Sequence, residues 1–510
     1  MPWSKRAVLP LAVAASLGPA FAWADPPALT VYNRDFAVVR ETIPLDLKPG
    51  TNAVSFSGAT VHLEPDSVVL RDPRGRVKLQ VLEQSFRGET INEALLLAMN
   101  EGKEVDFRRT GPDGKDEIVR GKIIRSGHTP SSATMGRFGA SFAQRQQALG
   151  GWGSSGSPIV QVDGKIWFRL PGEPLFPELG TDAILYPTLS WQLASDRAAK
   201  LEGELSYVTG GLRWEAAYNL VAPENGDVLD IVGWVTLENQ SGKTFENAAV
   251  KLMAGDVSKL QPEAPQGYAM ARMMNETLTV GGMPTVTEKT FDEFHLYHLT
   301  RPLTLRNAET KQVELLRGER VTAKTIYVYN GAAIDWHRYQ GYGMENIRNE
   351  RDYGTKSNPK VWVMRELANT KENGLGLPLP AGRTRFYRRD DDGRLEFTGE
   401  NSIDHTPQGE TLRVYTGDAF DVVGERKRID YKLENGQLQL EESFEIKIRN
   451  RKKEPVHVRV AERLYRWVNW EIVEKSDPYE KTDAQNIEFR VSVLPDQEKV
   501  VTYRVRYNWR

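Results

Sequence analysis

Residues 500–507 read VVTYRVRY, and this short stretch decides the fold class of the chain. Val501, Tyr503, Val505 and Tyr507 alternate with polar residues at a period of two, which places the two sets on opposite faces of a strand. A strand with one apolar and one polar face is typical of an antiparallel sheet that packs against a core on one side only.

The same pattern recurs through the chain, in residues 189–193 (LSWQL), 231–237 (IVGWVTL), 444–448 (FEIKI) and 456–460 (VHVRV). Nearer the N-terminus, short strand-like runs are separated by turns rich in Gly, Pro and Asp, such as Lys48-Pro49-Gly50. Short strands with turns at this spacing favour two packed layers of sheet. We therefore predict a mainly β, multi-domain protein with β-sandwich-type domains.

Composition narrows the class of protein. The 510 residues exceed what one hydrophobic core usually supports, so we expect several domains. The formal net charge of −2 argues against a nucleic-acid partner, because such proteins usually carry a basic excess. The absence of cysteine excludes disulfides, thiolate metal sites and a cysteine nucleophile.

The first 24 residues have the three parts of a cleavable export signal. Lys5 and Arg6 form the basic start, residues 7–17 are apolar, and small residues precede a cleavage point after Ala24. The apolar run is short for a bilayer span. We expect a protein that is exported to the periplasm or beyond the cell, and that does not span the membrane after cleavage.

Two units are predicted between the signal and residue 182. Residues 25–88 are expected to form an N-terminal β module. Residues 89–182 contain one short helix, which Thr90 and Glu93 would start as a capping box, and then short strands in the order of a small Sm- or SH3-like barrel. Residues 126–157, rich in Gly, Ser, Ala and Gln, are predicted to be a flexible insertion within this barrel.

The remaining region, residues 189–510, is predicted to be of β-sandwich type, with two subdomains that split near residues 340–360. It contains an ordered series of distinctive strings: GELSYVTGGLRW (203–214), GWVTLEN (233–239), LMAGDV (252–257), LPAGRTRFY (379–387), IDHTPQGE (403–410) and AFDVVGER (419–426).

Together these strings resemble the C-terminal domain of unknown function in the mucoidy inhibitor A-like family of bacterial proteins, over about residues 190–510. The resemblance implies an exported β protein, and it implies no established activity or catalytic residue. The chain lacks the coiled-coil segment of the longer family members, so a role tied to that segment is not expected here.

Asp404 and His405 form the strongest candidate for chemistry. A histidine beside a carboxylate could serve as a general base or a metal ligand. The structural alternative, which we favour, is that both residues pin a turn before Thr406 and Pro407, because no nucleophile motif accompanies them.

A second candidate is a group of aromatic residues, Tyr465, Trp467 and Trp470, with Arg463 and Arg466 between them. Such a group could bind a sugar or a peptide, and the same pattern also serves the buried edge of a sandwich. The buried-edge interpretation is the one we favour.

The sequence thus predicts a non-catalytic protein of the cell envelope that acts as an interaction or structural module. Its expected partner is an envelope protein or a glycan, with no cofactor and no metal. The alternative hypothesis is an envelope hydrolase or metal-dependent enzyme that uses Asp404 and His405.

Overall fold

A computed structural model describes residues 25–111, 114–128, 157–178, 184–223, 226–255, 286–291, 294–334, 337–434 and 438–509. The predicted export signal and the central part of the predicted insertion, residues 129–156, lie outside the described residues. Strands dominate the described part, and the mainly β fold class is confirmed. Nowhere in these ranges is there a helix with the length and apolar character of a transmembrane span.

The strands before residue 256 are, in chain order, β1 (Ala28–Tyr32), β2 (Ala37–Leu47), β3 (Gly50–Ser57), β4 (Val69–Arg71), β5 (Leu79–Arg87), β6 (Glu104–Thr110), β7 (Asp116–Arg125), β8 (Ile159–Val162), β9 (Lys165–Trp167), β10 (Glu173–Leu175), β11 (Thr188–Ser195), β12 (Ala199–Thr209), β13 (Leu212–Ala222), β14 (Val228–Asn239) and β15 (Phe245–Ala254). One helix, α1 (Glu93–Met99), precedes β6, and a 3₁₀ turn covers Pro65–Ser67.

The strands after residue 285 are β16 (Val286–Phe291), β17 (Phe294–Leu299), β18 (Leu303–Leu305), β19 (Glu309–Tyr329), β20 (Ala332–Ala333), β21 (Lys356–Ser357), β22 (Lys360–Ala368), β23 (Gly382–Arg389), β24 (Leu395–Ile403), β25 (Thr411–Glu434), β26 (Gln439–Asn450), β27 (Val456–Arg463), β28 (Trp470–Lys475), β29 (Tyr479–Lys481), β30 (Asn486–Val493) and β31 (Glu498–Asn508). A second helix, α2 (Met344–Asn349), lies between β20 and β21, and a 3₁₀ turn covers Lys371–Asn373.

Two sheets join the N-terminal segment to the chain beyond residue 187. The first sheet has the order β16-β17-β15-β1-β2-β12-β4, with β18 attached to β15. Within it, β1 is parallel to β15 and antiparallel to β2. The small sheet, β3-β11-β5, places β11 between two N-terminal strands. Residues 25–88 therefore share both of their sheets with later strands, and their independence as a module stays a prediction.

Helix α1 and five short strands form a separate unit, the inserted sheet, with the order β10-β6-β7-β8-β9. Leu97 of α1 packs with Phe107 and Val160 in its own small core. The predicted order of helix and strands is present, whereas the end strands β10 and β9 do not pair in the described residues, so the sheet is open and not a closed barrel. Each end strand has only three residues and pairs with one neighbour alone, β9 with β8 and β10 with β6.

The large sheet continues to the C-terminus. Its main order is β24-β23-β13-β14-β19-β22-β25-β26-β31-β28, and β27, β29 and β30 are attached to it through β19. Strands β19 and β25 are the longest, with 21 and 24 residues. A two-stranded ribbon, β20-β21, flanks helix α2.

Two hydrophobic cores lie along the large sheet. The first core contains buried residues of the first sheet, the small sheet and the first half of the large sheet. The second core contains buried residues of the C-terminal strands. Three strands contribute to both cores, with Val313 and Tyr329 on β19, Leu367 and Val361 on β22, and Val414 and Val422 on β25. Strands β19, β22 and β25 thus run from one core into the other. The two subdomains predicted to split near residues 340–360 share these strands, and their separation stays a prediction.

Candidate binding site

Asp404 and His405 lie directly after β24, where the chain meets the loop 375–381. His405 is half-buried, and its Nδ1 accepts a hydrogen bond from the backbone N–H of Ala381 at 3.1 Å. Next to it, Leu379 and Thr406 exchange both backbone hydrogen bonds, at 2.7 and 2.8 Å. The Thr406 hydroxyl donates to the carbonyl of Asp404 at 2.6 Å. These contacts join the 375–381 loop to the end of β24.

This geometry bears on the catalytic hypothesis. A neutral imidazole that accepts at Nδ1 carries its proton on Nε2, so the lone pair that a general base needs is already engaged with Ala381. In the described part of the chain, no group of three or more His, Asp or Glu side chains is placed to hold a metal ion. His405 therefore has the contacts of a turn-fastening residue.

The three predicted aromatic residues follow β27, and their rings enter three different environments. Tyr465 packs against Tyr353, with ring centroids 5.6 Å apart. Trp467 stacks on Trp509 at 6.3 Å. The indole N–H of Trp470 donates to the carbonyl of Ala484 at 2.9 Å. All three rings pack against the second core and are half-buried, so they do not form one continuous aromatic surface.

Tyr465 lines a cavity of about 160 Å³ together with Asn330, Ala332, Ile334 and Arg463. The apolar part of the lining comes from Ala332, Ile334 and the tyrosine ring. Arg463 is exposed at the end of β27 and adds a positive charge, while Asn330 adds an amide. The cavity is thus an apolar recess with a cationic and a polar group beside it.

The wall behind Tyr465 depends on a glycine. Gly354 has a φ of +70°, and a Cβ placed on it would lie 2.2 Å from the Tyr465 ring. Any larger residue at this position would strain the backbone and displace the ring. Gly354 is the last residue of a segment, residues 337–354, that covers the second core and includes α2. We call this segment the strap.

A buried ion pair fastens the strap. Arg466 donates to Glu442 at 2.9 and 3.2 Å, and both side chains are inaccessible to solvent. The same guanidinium donates to the carbonyls of Ile347 at 2.6 Å and Glu350 at 2.7 Å. Arg428 adds a second cation, 3.1 Å from Glu442. One buried carboxylate therefore holds two guanidiniums, and both of these bind the strap backbone, because Arg428 also donates to the carbonyl of Arg351.

A second buried ion pair lies close to Tyr465. Arg426 donates to Glu462 at 2.9 Å and to the carbonyl of Gly354 at 3.0 Å, and Tyr503 donates to Glu462 at 2.5 Å. Burial opposes the charge of Arg426, but the Glu462 carboxylate outweighs it and keeps the pKa of the guanidinium well above its usual value. Burial, with the charge of Glu462, raises the pKa of the Tyr503 phenol. Arg426 thus stays charged and Tyr503 stays a neutral donor.

The sequence interpretation named Arg466 only as a neighbour of the aromatic residues and did not identify these pairs. A signal for them exists in the strand pattern. Glu442 lies in phase with the buried residues Leu440 and Phe444 of β26, and Glu462 lies in phase with Val458 and Val460 of β27. A charged residue at a core-facing position of an alternating strand requires a buried partner of opposite charge.

A protein family described as Domain of unknown function (DUF4139) matches residues 204–510. No curated protein matches the chain. The matched region contains the large sheet, the second core, the strap and the Tyr465 cavity, whereas β1 to β11 and the inserted sheet lie before it. Both sets of predicted site residues therefore fall within the matched domain.

Proposed function

We propose, from the premise that the chain belongs to the DUF4139 family, that it is an exported, non-catalytic interaction module of the bacterial cell envelope. We also propose, from the strings in residues 203–426, a relationship to the mucoidy inhibitor A-like proteins. The observation that carries the interaction role is the Tyr465 cavity, because it combines an apolar recess, a cation and a tyrosine ring packed closely on Gly354.

The size of the cavity favours a protein partner. Pockets for whole small molecules usually measure about 300–1,000 Å³, and the Tyr465 cavity measures about 160 Å³. A recess of this volume suits one inserted side chain, and inserted anchor residues dominate the energetics of protein interfaces. The larger protein surface around the recess would supply the remaining contacts.

The lining also favours a chemical class for that side chain. Ala332, Ile334 and the ring of Tyr465 suit an apolar stem, and the guanidinium of Arg463 suits a carboxylate at its end. A glutamate side chain on a partner protein has both features. The proposed partner is therefore an envelope protein that inserts an acidic side chain beside Arg463.

The alternative of catalysis at Asp404 and His405 lacks comparable support. His405 faces the backbone of Ala381, and neither residue lines the Tyr465 cavity. The buried ion pairs behind Tyr465 hold the strap and leave no acceptor of Glu442 or Glu462 directed at solvent. The cavity therefore suits binding better than acid–base chemistry.

The proposal is tested by site-specific photo-crosslinking in intact cells. A photoreactive residue at Ala332 should give a crosslinked protein partner, while the same residue at the exposed Glu117 of the inserted sheet should give none. The crosslinked form of this protein should be found in the envelope fraction, and its first residue should be Asp25 if export occurs as proposed. A product that a glycosidase removes and a protease does not would overturn the choice of a protein partner.

The role of the cation is tested with the identified partner. Arg463→Glu should weaken binding by about tenfold, because it opposes a carboxylate with a carboxylate. Arg383→Glu, at another exposed arginine of the same sheet, is the matched control and should leave the dissociation constant unchanged. Equal weakening by both variants, or by neither, would contradict the proposed site.

A further inference from the structure

Several buried side-chain donors of the second core have no acceptor in the described part of the chain, and three of them lie together at its edge. They are the Nε of Arg348, the indole Nε1 of Trp467 and the indole Nε1 of Trp509. Buried donors are almost always paired, and each unpaired donor loses its hydration without compensation. Three of them together call for an acceptor that the described residues do not supply.

The three residues form one contact group. The rings of Trp467 and Trp509 are stacked, with centroids 6.3 Å apart and planes inclined by 21°. The guanidinium carbon of Arg348 lies 5.9 Å from the centre of the Trp509 ring. The residues come from α2 in the strap, from the segment between β27 and β28, and from the chain just after β31. A single ligand at this point would connect all three segments.

The chemistry of the donors selects the ligand. A guanidinium N–H and an indole N–H can only donate, so the ligand must accept. A water molecule accepts at most two hydrogen bonds, so one water cannot accept from all three donors. The guanidinium also adds a positive charge, and its terminal nitrogen is only 3.4 Å from the largely exposed Glu345, which leaves that charge weakly compensated. An anion with several oxygen acceptors meets all of these conditions.

We propose that Arg348, Trp467 and Trp509 form a binding site for a carboxylate group. None of these three residues lines the Tyr465 cavity. A test of carboxylate binding is therefore independent of a test of the proposed protein partner. A carboxylate there would accept from the two indoles and from the guanidinium. Binding would also hold the strap against the C-terminal end of β31.

The test uses the whole mature chain and acetate as the probe. Acetate is titrated into dialysed protein at constant ionic strength, and tryptophan fluorescence and the melting temperature are followed. We expect a saturable fluorescence change and a rise in melting temperature, since a ligand of the folded state stabilises it. Chloride and phosphate, titrated in parallel, decide whether the site prefers a carboxylate or accepts any anion.

Variants separate binding at this site from general salt effects. Trp509→Phe and Arg348→Met remove one donor each and keep most of the packing, so each should raise the acetate dissociation constant about tenfold or more. Trp470→Phe is the matched control, because that indole N–H already donates to Ala484, and it should bind acetate as the wild type does.

Two results would overturn the proposal. One is a wild-type protein with no saturable response to acetate, which would mean that ordered water satisfies the donors. The other is an acetate response that survives in both Trp509→Phe and Arg348→Met. Because the two variants remove different donors, either one that stays folded decides whether the acetate response comes from this site.

Discussion

Two loops cover the two cores of this protein, and they are fastened by different chemistry. The 375–381 loop lies over the first core and is held by neutral hydrogen bonds, from Tyr218 to the carbonyl of Pro380 at 2.7 Å and from Tyr297 to the carbonyl of Pro378 at 2.8 Å. The strap lies over the second core and is held by the guanidiniums of Arg466 and Arg426.

The difference predicts that the loss of a buried partner destabilises the fold more when the remaining group is charged than when it is neutral. A neutral donor that loses its acceptor leaves one unsatisfied polar atom, which is a local and moderate penalty. A buried guanidinium that loses its carboxylate leaves an uncompensated charge, which is a much larger one. Burial also raises the pKa values of Tyr218 and Tyr297, so these phenols stay neutral donors. We therefore expect the second core to be the more sensitive to single polar substitutions.

The largest effect is expected for Glu442→Gln. The substitution keeps the shape of the side chain and removes the charge that holds Arg466 and Arg428, so the free energy of unfolding should fall by about 3–5 kcal/mol. Urea unfolding followed by tryptophan fluorescence and circular dichroism measures the change.

An exposed ion pair of the same sheet provides the control for Glu442→Gln. Glu425 pairs with Arg449 at 2.8 Å on the surface, and Glu425→Gln should change stability by less than about 1 kcal/mol. Similar losses for the two variants would mean that burial does not distinguish the strap from the surface, and the comparison of the two cores would fail.

A smaller effect is expected for Tyr218→Phe in the first core. It removes the donor to Pro380 and leaves the ring in place, so the free energy of unfolding should fall by about 1–2 kcal/mol. The same unfolding measurement applies. A loss as large as that of Glu442→Gln would show that neutral fastening is as sensitive as charged fastening.

The smallest effect is expected for His405→Ala. The substitution leaves the half-buried N–H of Ala381 without its acceptor, and the free energy of unfolding should fall by about 1 kcal/mol. Thermal unfolding with and without zinc or other divalent ions should show no metal-dependent difference between wild type and variant. A metal-dependent stabilisation that the variant loses would instead support the enzyme hypothesis.

Much of the local structure was predictable. The alternation in residues 500–507 predicts a strand, and β31 buries Val501, Tyr503, Val505 and Tyr507 as that pattern requires. Helix α1 also lies where the sequence predicts a helix, but Asn92, and not Thr90, caps it by accepting from the N–H of Leu95 at 2.9 Å. Both residue types cap helices well, so the local sequence does not distinguish the two starts.

The partners of the strands were less predictable. The sequence predicts an N-terminal β module over residues 25–88, and it does not indicate that Leu29 on β1 pairs with Val250 on β15 or that Leu205 on β12 pairs with Glu41 on β2. Alternation specifies which face of a strand is apolar, but it does not specify which of the other apolar strands becomes its hydrogen-bonded neighbour. The predicted barrel does not close for a related reason, since the order of strands along the chain does not specify whether the two end strands meet.

The candidate site was likewise predictable only in part. The sequence by itself determined the residue types, the strand periodicity and the in-phase positions of Glu442 and Glu462 among apolar neighbours. Only the tertiary structure decided that Arg466 meets Glu442 beneath the strap, that Arg426 meets Glu462 behind Tyr465, and that the rings of Tyr465, Trp467 and Trp470 separate into different environments. The physical reason is that periodicity is a property of one strand, whereas charge pairing and cavities depend on which distant strands pack together.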